Sequence, residues 1–149
     1  MDSTTRALSE EVIHKFLSLN RFLRQYARQM TSYGIRPRQF AVLRLLLESG
    51  PATVGQVQAY LYLSASTTSM LIAQLEEAGY VTRTRSEEDN RVVMVELTAA
   101  GCGLAQNTPL GGITLLRQRL DTLPQARLQL LDQALAEIMR LMEVTEIDE

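Results

Sequence analysis

The sequence predicts a mainly α-helical fold carrying one small β-hairpin. Three observations predict it. Apolar residues recur at heptad-like spacing near both ends of the 149-residue chain. Between those ends lies a series of short helices marked by caps and breakers. After Gly79 come two runs rich in Val, Tyr and Thr, joined by a polar loop.

Taken in order, the first long helix is expected from Ser9 to about Ser32. Val12, Phe16, Leu19, Leu23, Tyr26 and Met30 are spaced 4, 3, 4, 3 and 4, a heptad-like seam. Ile13, Leu17 and Ala27 form a second stripe beside it. Two apolar faces suggest that one packs on its own domain and one on something else. Arg36-Pro37-Arg38-Gln39-Phe40 opens the next helix, with Phe40, Val42, Leu43, Leu46 and Leu47 on its buried side. Ser49-Gly50-Pro51 ends it, with Gly past the last turn and Pro beyond. Thr53 and Gln56 have capping-box spacing and start a short helix through about Leu61.

Leu63-Ser64 reads as a turn and N-cap. A further helix runs from about Ala65 to Ala78, with Leu71, Leu75 and Ala78 toward the core, and Gly79 closes it. Tyr80 to Thr84 and Val92 to Leu97 read as strands, with Arg85 to Arg91 as the loop. Thr98 caps a new helix, which Asn107-Thr-Pro-Leu-Gly-Gly112 should break or kink. In the last helix Leu128, Leu131, Leu135, Ile138 and Met142 are spaced 3, 4, 3 and 4. Thr122 and Gln125 have capping-box spacing at its start, with Pro124 tolerated in the first turn.

Helix, short helix, turn, helix, hairpin is the order of a winged helix-turn-helix. The expected organisation is an N-terminal dimerisation helix over residues 1–35, the winged part over 36–101 and C-terminal dimerisation helices over 102–149. Heptad stripes at both chain ends point to a homodimer.

Composition narrows the function classes. No apolar run approaches the roughly 20 residues that span a bilayer. The start, MDSTTRALSEE, lacks a signal peptide's basic and apolar regions, so a cytoplasmic protein without a membrane partner is expected. One cysteine, Cys102, excludes an internal disulfide and a multi-cysteine zinc site, and it reads as an inert small residue. With one His and one Cys, few catalytic triads are possible, and an enzyme is not expected. Glu10 and His14 share a helix face, but two or three such ligands near a frayed end read as a solvated surface, so neither metal nor cofactor is expected.

The net charge of −2 does not announce a nucleic-acid binder, but its distribution is uneven. Residues 1–35 hold five basic and three acidic side chains, a net of +2, and residues 36–95 hold six of each. Residues 96–119 come to +1, and residues 120–149 hold two basic and seven acidic, a net of −5. The acidity sits in the tail, away from any anionic partner.

The outward helix of the helix-turn-helix begins Ser64-Ala-Ser-Thr-Thr-Ser69. One cap needs one hydroxyl, and this stretch offers Ser64, Ser66, Thr67, Thr68 and Ser69. With free backbone amides and the helix dipole, they suit phosphate and base-edge contacts on double-stranded DNA.

Asp89-Asn90-Arg91 followed by Leu97-Thr98-Ala-Ala-Gly101 is similar to the wing signature of the MarR (multiple antibiotic resistance regulator) family of bacterial transcription factors, an Asp-x-Arg followed five residues later by Leu-Thr-x-x-Gly. Gln39-Phe40-Ala41-Val42-Leu43 resembles the family's second helix. Leu63-Ser64 and Leu75-Glu76-Glu77-Ala78-Gly79-Tyr80-Val81-Thr82-Arg83 resemble the bounds of its recognition helix and first wing strand. The close match covers about residues 36–101. The resemblance implies a DNA-binding regulator, a ligand-responsive repressor acting as a homodimer on a near-palindromic operator. It implies that Arg91 contacts DNA and that Asp89 orders the wing. Opposed charges on a short hairpin also hold register and blunt an exposed edge. Arg83 and Arg85 alternate along one strand face, within reach of phosphates. The resemblance further implies a small aromatic or phenolic effector, for which Phe16, Phe22, Arg24, Tyr26 and Tyr33 are candidate lining residues.

The departures all remove positive charge or add negative charge. Met70 and Gln74 stand where the family often has Arg, Asn90 where it often has a basic residue, and Glu87-Glu88 where a Pro is common. They weaken the expected phosphate grip and alter base preference. They also motivate an alternative, a winged-helix protein-interaction module with weak or no sequence-specific DNA binding.

Overall fold

The computed structural model describes residues 2–145. Its elements are α1 (Ser3–Thr31), α2 (Pro37–Ser49), β1 (Ala52–Thr53), α3 (Val54–Leu61), α4 (Ala65–Glu77), β2 (Val81–Arg85), β3 (Val93–Leu97), α5 (Ala99–Asn107), α6 (Gly112–Leu120) and α7 (Gln125–Leu141). They fall into two compact units, divided between Pro37 and Arg38. Among the described residues no helix is long and apolar enough to cross a membrane.

The first unit is α1 with its closing turn. The helix starts at Ser3 rather than Ser9. No Gly or Pro interrupts Ser3 to Glu10, and the Arg6 N–H already reaches Asp2 O at 3.0 Å, so nothing stops helix growth there. Most of its apolar surface faces solvent: Leu8, Val12, Ile13, Leu17, Leu19 and Phe22 are exposed. Phe22 and Tyr26 stack, with ring centroids 6.3 Å apart.

Pro37 occupies the first position of α2, where its missing N–H is not needed, and the rest of that helix belongs to the second unit. Phe40, Val42, Leu43 and Leu46 are buried in the core, and Leu47 is half-buried. Gly50 takes the left-handed conformation, φ +79°, and its N–H closes α2 on Leu46 O at 3.0 Å. The two-residue β1 was not foreseeable from alternation, because two residues show none. It pairs antiparallel with β3, Ala52 opposite Val95 and Thr53 opposite Met94. Thr53 then caps α3. Its Oγ1 accepts the Gln56 N–H at 3.0 Å, and Gln56 Oε1 accepts the Thr53 N–H at 2.8 Å, a complete capping box.

The buried side of α4 is Thr68, Leu71, Ile72 and Leu75. Ala78, expected toward the core, is exposed, because the helix has already ended at Glu77 and Ala78 is its C-cap. The sheet order is β1-β3-β2, with the β2–β3 ladder running from Val81 opposite Leu97 to Arg85 opposite Val93. Thr98 caps α5, its Oγ1 accepting the Gly101 N–H at 3.1 Å. The expected break after Asn107 is present, and a separate α6 starts at Gly112. Arg117 ties α6 to α3. Its Nη2 donates to Tyr60 O at 2.8 Å, and its guanidinium carbon lies 3.7 Å from the Tyr60 ring centroid.

The expected cap of α7 is corrected. Pro124 is the N-cap and makes no side-chain cap bond, while Thr122 Oγ1 donates to Arg119 O at 2.7 Å, closing α6 instead. Spacing alone does not tell a helix start from the end of the preceding helix. No residue of α7 is buried, and Leu130, Leu131, Leu135, Met139 and Leu141 are exposed.

Candidate nucleic-acid interface

Ser64 organises the start of α4. Its extended backbone stops the chain outside the helix, and its Oγ accepts the Thr67 N–H at 3.2 Å. The same hydroxyl donates to Thr67 Oγ1 at 2.9 Å and lies 3.3 Å from Ser66 Oγ. Three hydroxyls thus cluster around the first turn. Ser66 and Ser69 are exposed, and Met70 (58% exposed) and Gln74 continue their face along the helix. Gln74 Oε1 lies 3.5 Å from the Gln39 amide nitrogen, a contact with α2 that orients the Gln74 side chain.

Thr68 does not belong to this face. It is 0% exposed, and its Oγ1 donates to Ser64 O at 2.8 Å. It lies one helical turn before Leu71 and Ile72 on the buried side, so it is not placed to touch DNA.

The wing brings Arg85, Asp89 and Arg91 together at its tip and leaves Arg83 near its base. Asp89 Oδ1 accepts the Arg91 backbone N–H at 3.0 Å and lies 3.4 Å from Arg91 Nε. The Val92 N–H returns to Asp89 O at 2.9 Å, and the Ser86 N–H to Val92 O at 2.8 Å. Arg85 Nη1 donates to Asn90 O at 2.7 Å and so braces the loop from inside. The Arg91 side chain is 92% exposed. Glu87 and Glu88 are exposed beside it.

Arg83 has a different environment. Its Nη2 and Nε approach Glu76 Oε1 at 2.9 and 3.3 Å, and its backbone N–H donates to Glu76 Oε2 at 3.1 Å. The side-chain hydrogen bond from Arg83 is the largest influence on the Glu76 carboxyl; with the Arg83 backbone N–H and charge it outweighs the opposing effect of burial and holds that carboxyl below the usual carboxylate range. The sequence shows Glu76 only as part of the resembling stretch that ends the recognition helix. The available signal was an acid seven residues before a strand arginine, with the Gly79 turn between them.

The five effector candidates all lie in the first unit. Phe16 and Tyr26 are half-buried, while Phe22, Arg24 and Tyr33 are placed differently: Arg24 and Tyr33 are exposed, and Phe22 is exposed with its ring on Tyr26. The Tyr26 hydroxyl is buried without a hydrogen-bond partner, and burial raises its pKa. An open cleft of about 310 Å³ in the second unit is lined by Tyr62, Ile113, Leu116, Arg117, Leu120 and Asp121. It includes none of the five.

Comparison with known proteins agrees with this architecture. The profile described as the MarR family matches residues 33–91. The chain is 27% identical over 114 residues to YsmB, an HTH-type transcriptional regulator of Bacillus subtilis (strain 168), covering 76% of this chain and 78% of that protein. It is 30% identical over 103 residues to a second regulator of the same type and organism, YkoM, covering 64% of this chain and 67% of that protein. Among solved structures, AbsC, a MarR family transcriptional regulator from Streptomyces coelicolor, superposes with a TM-score of 0.67 at 24% identity, over 96% of this chain and 97% of that one. The S. aureus MepR–DNA complex superposes with a TM-score of 0.62 at 16% identity, over 89% of this chain and 97% of that one. At these identities the structural likeness speaks for the fold.

Proposed function

The chain belongs to the MarR family, and from that membership we propose that it is a DNA-binding transcriptional regulator in the cytoplasm. The observation that carries this is the open face at the start of α4. Ser66 and Ser69 are exposed there, and Ser64 and Thr67 complete a hydroxyl cluster at the helix N-terminus. That face enters the major groove. Arg91, exposed on a loop that Asp89 orders, reaches the adjacent backbone or minor groove. All three wing arginines have partners within the protein, but Arg91 meets Asp89 only at 3.4 Å and its side chain is 92% exposed, so Arg91 carries most of the wing's attraction.

The protein acts as a homodimer. Residues 1–35 and 102–149, of which 1 and 146–149 lie outside the described residues, supply the interface, and 36–101 contact DNA. Support comes from apolar residues exposed along α1 and α7, an amount of apolar surface that a monomer rarely leaves to water. Two recognition helices then meet successive major grooves about 34–36 Å apart, on a near-palindromic operator. Binding there blocks transcription, and a small aromatic or phenolic effector relieves it by changing the spacing of the two helices. The half-buried Tyr26, whose buried hydroxyl has no hydrogen-bond partner, supports a role for α1 in that effector site, with Phe16, Phe22, Arg24 and Tyr33 on the same unit.

The test is fluorescence anisotropy on duplexes from the region upstream of its own gene, at two salt concentrations. The expected result is tight, salt-steep binding. Arg91→Ala should weaken it by about tenfold and lower the salt slope by about 0.9 for each phosphate no longer neutralised. Binding no tighter than to random duplex, for both proteins and for a selection of genomic fragments, would replace this reading with the protein-interaction module.

A further inference from the structure

We infer that Glu76 is a positioning residue for the wing, and that Arg83 is its anchor rather than a phosphate contact. This rests on the DNA-binding reading above.

In the sheet order β1-β3-β2, strand β2 is an edge. Alternate N–H groups of an edge strand point away from the ladder and need another acceptor. For Arg83, opposite Val95, that acceptor is Glu76 Oε2 at 3.1 Å. The other carboxylate oxygen takes the guanidinium of the same residue, Nη2 at 2.9 Å and Nε at 3.3 Å. One carboxylate on the last turn of α4 therefore holds both backbone and side chain of the third residue of β2. Few side chains could do this. Gln lacks the charge, and Asp is shorter by one methylene.

The consequence is geometric. Recognition helix and wing touch DNA together, so their relative angle must be set before binding, or its ordering opposes binding. Between them the chain has only Ala78, Gly79 and Tyr80, with Gly79 at φ +84°. Glu76 and Arg83 bridge that joint. Both side chains are about two-fifths exposed, so the pair adds little to global stability. Its effect lies in angle and in charge. With its guanidinium neutralised by Glu76, Arg83 offers a phosphate far less than Arg91 does.

The experiment is a double-mutant cycle on the full-length protein: Glu76→Gln, Arg83→Gln and the pair, titrated with operator duplex over a salt series. If Glu76 positions the wing, each single variant weakens binding on the order of threefold to tenfold. The double variant is no weaker than either, and the salt slope is unchanged throughout. If Arg83 instead grips a phosphate, Glu76→Gln tightens binding, and Arg83→Gln lowers the slope by about 0.9. Either of those results overturns the inference. Amide hydrogen exchange on free Glu76→Ala separates this from the DNA-binding reading. The Arg83 N–H should lose protection while the ladder amides of β3 keep theirs. Unchanged protection overturns the clamp even if DNA binds, and lost protection supports it even where no operator is found.

Discussion

The two ends of the wing are held by different kinds of contact. At the base, Thr98 Oγ1 donates to Gly79 O at 2.6 Å, the Thr98 N–H donates to Tyr80 O at 3.1 Å, and Glu76 grips Arg83. The second of these extends the β2–β3 ladder by one pair, and the other two join the hairpin to the α5 cap and to α4. At the tip, the bonds of Ser86, Asp89, Asn90 and Arg91 stay within the loop and the strand ends beside it. The Thr98 contacts tie the base to the start of α5, and a change at Thr98 or Gly101 should be felt in stability, whereas the exposed Glu76–Arg83 pair sets the angle of the wing. The tip can lose its order without unfolding anything else, and a change there should be felt in binding. Within one family motif, Thr98 and Gly101 belong to the first class and Asp89 and Arg91 to the second.

The largest effect expected from this contrast is at Gly101. A Cβ built there lies 2.0 Å from Tyr80 O and 3.1 Å from Leu97 Cδ2. The obstacle is backbone, so no side-chain rotation relieves it. Either α5 or the Gly79–Tyr80 turn must move, and the Thr98 bond to Tyr80 O goes with it. Gly101→Ala should cost about 3 kcal/mol, from overpacking and the broken hydrogen bond. Urea denaturation at fixed protein concentration measures it, since dimerisation would make stability concentration-dependent. A loss below about 1 kcal/mol would show that the base yields as easily as the tip.

Thr98 comes next. Its hydroxyl accepts the Gly101 N–H as the cap of α5 and donates to Gly79 O. Thr98→Ala removes both bonds and should cost about 1–2 kcal/mol. Thr98→Ser keeps both and should stay within about 0.5 kcal/mol of the parent in the same denaturation experiment. Equal losses in the two variants would point to the methyl group, and the interlocked-base picture would need revision.

Local chemistry explains how much of this was legible in the sequence. The caps at Thr53, Ser64 and Thr98 and the stop at Gly50 depend on neighbours within four residues, so composition at fixed spacing was enough. The hairpin was placed to within one residue at each strand start, because its alternation and loop are equally local. Thr68 leaves the hydroxyl face because the helical phase, set by Leu71, Ile72 and Leu75, turns it inward, and a run of hydroxyl residues does not show that phase. Thr122 failed because its spacing fitted two helices at once. The partner of Arg83 lies across a turn, and only the folded joint brings Glu76 to it. The role of Gly101 is invisible for the same reason, since the carbonyl it accommodates comes from the far side of the hairpin.

The smallest effect on stability, and the sharpest on the contrast, is expected at Asp89. Its carboxylate does two opposing things for DNA binding. It accepts the Arg91 N–H at 3.0 Å and so orders the loop, and it places a negative charge beside the phosphates the wing approaches. Asp89→Asn keeps an oxygen acceptor and removes the charge. Asp89→Ala removes both. Global stability should change by less than about 0.5 kcal/mol in either variant, because the loop holds only itself. Affinity for operator DNA should separate them. The Asn variant should bind at least as tightly as the parent, with the gain fading at high salt as screening removes the charge effect. The Ala variant should bind more weakly than the Asn variant, because the ordering that Asp89 supplied must now come out of the binding free energy. Equal affinities for the two variants would mean that charge alone acts at the tip. Arg91 would then need no ordered loop to reach DNA, and order would matter only at the base.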